Sequence, residues 1–220
     1  MSVIVRTIGR DTLPRTIESI ERQTWRPIEI VLVLARAIPA PEIRTSLPVK
    51  VVGGETARRR SPAANLGMES AAGEWMMFLD EDDAVEPDHV ELLLAAAYAA
   101  ARPVAYSQTR LIDTRGYQRL MGGPFNRAFL MRSNYLAIHA VLFHRRFVEG
   151  GARFDESYEV FEDWDFWLQL MQHTDFAFVM KPTAIYYVDS GISGGGGGAN
   201  LDRASAVRSH ARILDKWRIR

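Results

Sequence analysis

Four consecutive carboxylates, Asp80, Glu81, Asp82 and Asp83, follow the apolar run Trp75 to Leu79 in the stretch EWMMFLDEDDAVEPDHV. Like charges packed this closely repel one another unless a cation or water takes up the charge. Alternation along an extended segment puts Asp80 and Asp82 on one side, where their oxygens suit a hard divalent cation, Mn2+ or Mg2+. A carboxylate pair rarely holds such an ion alone, and substrate phosphates usually complete its shell. The pattern points to a metal–diphosphate ligand. The same residues also suit an acidic loop capping a helix that begins near Pro87, where the helix dipole favours negative charge.

The elements around the cluster must place it at the end of a sheet. SVIVR (Ser2 to Arg6), Ile28 to Leu34, Val49 to Gly54 and Trp75 to Leu79 read as short buried strands. Between them, Leu13, Ile17 and Ile20 recur at helical spacing behind Asp11 or Thr12 as cap. Pro62 to Ala72 reads as a helix stopped by Gly73, and a longer helix runs from Pro87 to about Ala101. Strands separated by helices predict βαβ units, hence an α/β fold with a mostly parallel central sheet and helices on both faces. Ligands of such sheets bind beyond the carboxyl ends of the strands, where Asp80 to Asp83 fall. The second half is less regular. Strands are expected at Val104 to Thr109, Ala137 to Phe143 and Ala184 to Val188, with a turn at Asp113 to Gly116 and a helix over Glu162 to Gln172. His144 to Arg146 reads as a solvated turn, Gly194 to Gly198 as a flexible lid or linker, and Leu201 to about Trp217 as an amphipathic helix.

Composition narrows the function classes. Lys plus Arg and Asp plus Glu both number 27, so no global charge draws the chain to nucleic acid. The absence of cysteine excludes disulfides, thiolate nucleophiles and Cys-ligated zinc. The longest apolar stretch, from Val90, is about a dozen residues, too short for a membrane span. The N-terminus lacks a signal-peptide layout, so a cytoplasmic protein is expected.

Together, SVIVRTIGR, AANLGMESAAGEWMMFLDEDDAVEPDHVELL and ARFDESYEVFEDWDFWLQL resemble, in order and spacing, an inverting family 2 glycosyltransferase of the GT-A fold, over about residues 2 to 190. The resemblance implies a nucleotide-sugar donor, Mn2+ or Mg2+ at the carboxylate motif, and direct displacement at the anomeric carbon. The acceptor would be a glycan, a polysaccharide or a lipid-linked sugar. One glycosyltransferase domain is expected over 1–220: a donor half to about 105, a smaller mixed acceptor and catalytic half to about 190, then the Gly-rich loop and last helix. A homo-oligomer or a larger parent protein is compatible with this reading.

Carried onto this chain, the resemblance makes Asp82 the direct metal ligand, with Asp80 shared between metal and donor. Thr7, Arg10 and Asn65 match donor-side positions, and Asp163 matches the catalytic base, preceded by Glu162. Two departures stand out. Leu34 and Ala35 occupy the strand end where an acidic pair usually reads the base, so weak discrimination between pyrimidines is expected. Ala64 replaces an arginine often seen before Asn65, and Arg60, within Arg58 to Arg60, is the expected substitute at the diphosphate.

A base for inversion is best partly desolvated, and Phe161, Trp164 and Phe166 offer Asp163 an apolar wall. Trp164 is placed as an acceptor platform, with core packing as the alternative. His139 is either a core histidine or an acceptor-side group. A nucleotidyltransferase would need a glycine-rich loop after the first strand, which RTIGRDTLPRT lacks. The remaining alternative is a degenerate domain that binds glycan or a partner without transfer.

Overall fold

In the computed structural model, which describes residues 1–188 and 203–218, the first apolar run becomes the centre of a sheet. β1 (Ser2–Thr7) leads into α1 (Leu13–Glu21), then β2 (Glu29–Leu34), β3 (Val49–Gly53), α2 (Arg60–Ser70) and β4 (Trp75–Phe78). β1 pairs in parallel with both β2 and β4, with Ile4 opposite Val31 and Phe78. The carboxyl ends of these strands therefore open on one side, and the chain leaves β4 into Asp80 to Asp83 at that side.

The sheet continues with β5 (Ala84–Val85), β6 (Val104–Ile112), β7 (Gln118–Met121), β8 (Val141–His144) and β9 (Ala177–Tyr187). Its order is β3-β2-β1-β4-β8-β6-β9-β5, with β7 paired to β6. β8 runs antiparallel to β4 and β6, while β9 is parallel to β6 and β5 opposes it. The outcome is the expected mostly parallel centre with a mixed second half. Alternation sorts the side chains. Val3, Val5, Leu32 and Met77 pack on one face with α1 and α3 (His89–Ala99), and Ile4, Val33, Met76 and Phe78 pack on the other. That second face is covered by α2, α4 (Arg127–Arg132), α6 (Glu162–Met171) and α7 (Arg203–Lys216), with the short α5 (Arg146–Glu149) beside them. α2 lies so close to the sheet that a Cβ on Gly67 would stand 2.3 Å from Ile4 Cγ2. Only glycine fits there.

Several expectations change. Ala137 to Phe143 is not one strand: a 3-10 turn, Ile138–Ala140, precedes β8, and His139 sits in that turn. The last strand begins at Ala177 and pairs with β6 along its length, from Ala177 opposite Ala105 to Tyr187 opposite Ile112. Arg145 is no solvated turn residue. Its guanidinium donates to the carbonyls of Ala71 and Gly73, tying the end of α2 to β8. The last helix packs on this fold, with Ile213 buried and both Lys216 and Trp217 Nε1 2.9 Å from the buried Asp165 carboxylate. The glycine run Gly194 to Gly198 and Leu201 lie outside the described residues.

Candidate active site

The carboxyl ends of β1, β2 and β4 open into a cleft of about 650 Å3, whose far wall comes from 134–139 and 158–163. Asp80 to Asp83 enter it as a turn, closed by Asp83 N–H donating to the Asp80 carbonyl at 3.0 Å, and not as an extended segment. α1 holds this turn from behind: Arg15 donates to the Asp82 carbonyl at 2.6 Å and Thr16 to that of Asp83 at 2.7 Å.

Each of the four carboxylates has a different environment. Glu81 is buried and anchors the loop after β1. Its carboxylate accepts from Ile8 N–H and Arg10 N–H, both at 2.9 Å, and from the Thr7 hydroxyl. Thr7 Oγ1 in turn accepts from Gly9 N–H at 2.9 Å. Asp80 is gripped by Arg6, whose Nε and Nη2 donate to its two oxygens at 2.7 and 2.8 Å. Burial opposes the Asp80 charge, but the Arg6 guanidinium holds the carboxyl below its ordinary range. Asp82 pairs with Arg10 Nη1 at 2.7 Å, yet burial and the Asp80 charge still push it up. Asp83 is buried and accepts from Tyr187 N–H at 3.1 Å; burial and then the charges of Asp82 and Asp80 push it well up.

Across the cleft, Phe161 adopts a left-handed conformation, φ 63°, and turns the chain into α6. This exposes the first turn of α6 to the cavity. Asp163 Oδ1 accepts from Trp164 N–H at 2.8 Å, and Oδ2 from Asn134 Nδ2 at 3.0 Å. Burial pushes the Asp163 carboxyl up to about 7, and the neighbouring Glu162 adds to the effect. Glu162 Oε1 stands 3.8 Å from Arg6 Nη1 and 3.9 Å from Arg60 Nη1. The Arg6 guanidinium therefore lies between Asp80 and Glu162, joining the two acidic motifs.

Thr7, Arg10, Arg60, Asp80, Asp82, His139, Glu162 and Asp163 all line the cleft. Asn65 does not. Its amide is consumed by Phe154 N–H at 2.9 Å and by the Phe154 carbonyl and Glu156 carboxylate, both at 3.0 Å. Trp164 is also no platform. It is 1 % exposed, with Nε1 donating to the Leu130 carbonyl at 2.6 Å. A helix whose first turn faces the cleft turns the next residue into the core. His139 Nδ1 is 3.2 Å from Asp83 Oδ2, but neither ring nitrogen makes a hydrogen bond among the described residues. Burial pushes the imidazole down to about 4, so at neutral pH the pair is no ion pair. At the carboxyl end of β2, Leu34 is buried, and Ala35, Arg36 and Arg58 line the cavity where the resemblance would place an acidic pair. Sequence reasoning missed Arg6, Asn134 and Tyr186. The charge of Arg6 at the end of an apolar strand was a usable signal, whereas Asn134 and Tyr186 carried none.

The carboxylates Asp80 and Asp82 offer oxygen donors to the cleft, which suit a hard divalent cation. Among the described residues, however, no three His, Asp or Glu groups form a cage. Asp80 enters the cleft as half of a bidentate ion pair, and Asp82 as the partner of Arg10. The residues therefore fit a cation held by Asp82 once Arg10 yields, with phosphate oxygens completing the shell.

Residues 2–154 match the family described as Glycosyl transferase family 2. The succinoglycan biosynthesis protein ExoO of Rhizobium meliloti is 29% identical over 191 residues, covering 74% of this chain and 52% of that protein. The uncharacterized glycosyltransferase YwdF of Bacillus subtilis is 25% identical over 181 residues, covering 77% and 67%. The chain thus spans about half the length of ExoO. Among solved structures, TarS 1–349 of S. aureus in complex with UDP-GlcNAc superposes with a TM-score of 0.71 at 17% identity, covering 97% of this chain and 66% of that one. That likeness shows the fold, which is of the GT-A type.

Proposed function

The chain belongs to glycosyl transferase family 2, and on that premise we propose that it transfers a sugar, with inversion, from a nucleotide-sugar donor to a hydroxyl of a glycan, polysaccharide or lipid-linked acceptor. One observation carries the reading: a carboxylate with proton affinity near neutral, Asp163, shares a cleft with the arginine-paired Asp80 and Asp82. The complex of TarS with UDP-GlcNAc supports uridine diphosphate sugars as first probes.

In this mechanism Arg10 and Arg60 take the diphosphate, whose oxygens suit guanidinium donors. Mn2+ or Mg2+ on Asp82, when bound, would offset charge on the departing nucleotide. Asp163 accepts the acceptor proton as the hydroxyl oxygen attacks the anomeric carbon from the face opposite the diphosphate. A base of this kind works best with a pKa near the operating pH. Glu162, held near Arg6 and Arg60, adds to the proton affinity of Asp163. His139 and Tyr186 line the acceptor side.

Single-turnover transfer at saturating donor tests the assignment. Asp163→Asn should lower the rate by about 10² to 10⁴, the usual worth of a positioned base. Glu162→Gln should lower it less, and neither should much alter donor affinity. Near-normal turnover in Asp163→Asn would remove the base from this site. The missing acidic pair at Leu34 and Ala35 favours a second reading, a glycan-binding module without transfer. Hydrolysis of the donor by the wild-type protein, dependent on Asp82, would exclude it.

A further inference from the structure

We propose that Asn134 is the positioning residue of the general base: its amide fixes the Asp163 carboxylate in one orientation and favours its charged form. The inference rests on the reading of Asp163 as the base. Asn134 belongs to none of the motifs, and lies in the loop between α4 and the 3-10 turn that carries His139.

The geometry determines which end of the amide faces Asp163. Leu136 N–H donates to Asn134 Oδ1 at 3.1 Å, and a backbone N–H can only donate. The other end, Nδ2, is therefore the group 3.0 Å from Asp163 Oδ2. Leu136 is itself 2 % exposed, so the loop that aims the amide is anchored in the core. Asp163 thus has one donor on each oxygen, Trp164 N–H from its own helix and Asn134 from another element. With only the first, the carboxylate would be held through a single oxygen. With both, its plane is set.

The remaining charged groups around Asp163 are Glu162 beside it on α6, Arg60 on α2 and Arg6 on β1. Glu162 disfavours the carboxylate form and the arginines favour it, but none of the three hydrogen-bonds to Asp163 among the described residues. Among the described residues, Asn134 is the one side chain that stabilises the charge by a direct bond. A hydrogen bond to the ionised form lowers a carboxyl pKa, so its loss raises it.

Side-chain carboxyl 13C titration of the whole protein, with the Asp163 signal assigned by its loss in Asp163→Asn, reads this directly. Asn134→Ala should move the Asp163 midpoint up by about one pH unit, and Asn134→Asp, which adds a charge, further. The acid limb of kcat/KM should shift with it, so that transfer at pH 6 falls roughly tenfold while transfer at pH 9 approaches wild type. A purely structural loss would lower both equally. If Asn134→Ala does not melt cooperatively, Asn134→Ser retains an oxygen for Leu136 N–H and withdraws the donor from Asp163. An unmoved midpoint in a folded variant overturns the positioning role and leaves the base assignment standing. A midpoint that moves without the acid limb, or a limb that survives Asp163→Asn, overturns the base assignment and this inference with it.

Discussion

At the scale of single residues, the cleft is a set of carboxylates kept apart by their partners. Asp80 is spent on Arg6 and Glu81 on backbone amides, so Asp82 is left as the exchangeable group, paired to a half-buried Arg10. Asp82→Ala should abolish any Mn2+-dependent gain in nucleoside diphosphate binding while the protein still melts cooperatively. Arg10→Ala should do the reverse for the ion alone. It should tighten Mn2+ binding without nucleotide and weaken the nucleoside diphosphate by roughly tenfold, ~1.4 kcal/mol. Calorimetric titration with each ligand separately measures both, and equal Mn2+ affinity in Arg10→Ala and wild type would contradict the exchange. Asp163 adds a pH dependence. Its folded-state pKa of about 7 lies above the roughly 3.9 expected unfolded. Between these values the unfolded chain releases the proton and the folded one retains it, so this group's contribution to stability falls as pH rises from about 4 to about 7. The melting temperature of Asp163→Asn relative to wild type should therefore climb across that window. A flat difference would mean an ordinary carboxyl.

At the scale of elements, one residue that looked like a ligand proves to be a fastener. Asn65 bonds both the N–H and the carbonyl of Phe154, joining α2 to the loop that leads into α6. Asn65→Ala leaves both backbone groups without partners in a buried place, a cost of about 1–3 kcal/mol. Donor affinity should stay within a factor of about two, because no Asn65 atom reaches the cleft. Thermal melting and nucleoside diphosphate titration on the same preparation decide it; a large loss of donor binding with unchanged stability would return Asn65 to the site. Asp165 fastens α7 to the back of α6 in the same manner, through Lys216 and Trp217. Opposite faces of one helix thus face the cleft and the packing of α7.

At the scale of the whole molecule, Arg6 is the link between halves. It leaves β1, grips the turn after β4, and stands 3.8 Å from Glu162 at the start of α6. Arg6 is 7% exposed and Asp80 27%, so the pair is only partly screened. Arg6→Met should cost ~2–4 kcal/mol, since removing one partner strands buried charge on the others, discounted for the exposure of Asp80. For a chain of this size that is a fall in melting temperature on the order of 5 to 15 °C. A loss within 1 °C would show that Asp80 and Glu162 find other cations.

The apolar strand runs, their helical spacers and the ordered motifs were legible along the chain because they are local: alternation and spacing report which face is buried. Asp80, Asp82, Glu162 and Asp163 stood out by type and order, and the fold brings all four to one cleft. Tertiary structure alone decided how those groups are used. That Arg6 and Arg10 neutralise the aspartates, that Trp164 turns inward and that Asn65 is a fastener depend on contacts between segments tens of residues apart. Asn134 and Asp163 are 29 positions apart and share no periodicity. Only the packing of α4, the 3-10 turn and α6 on one sheet face brings a neutral amide against a buried carboxylate, and that contact has no trace in local sequence.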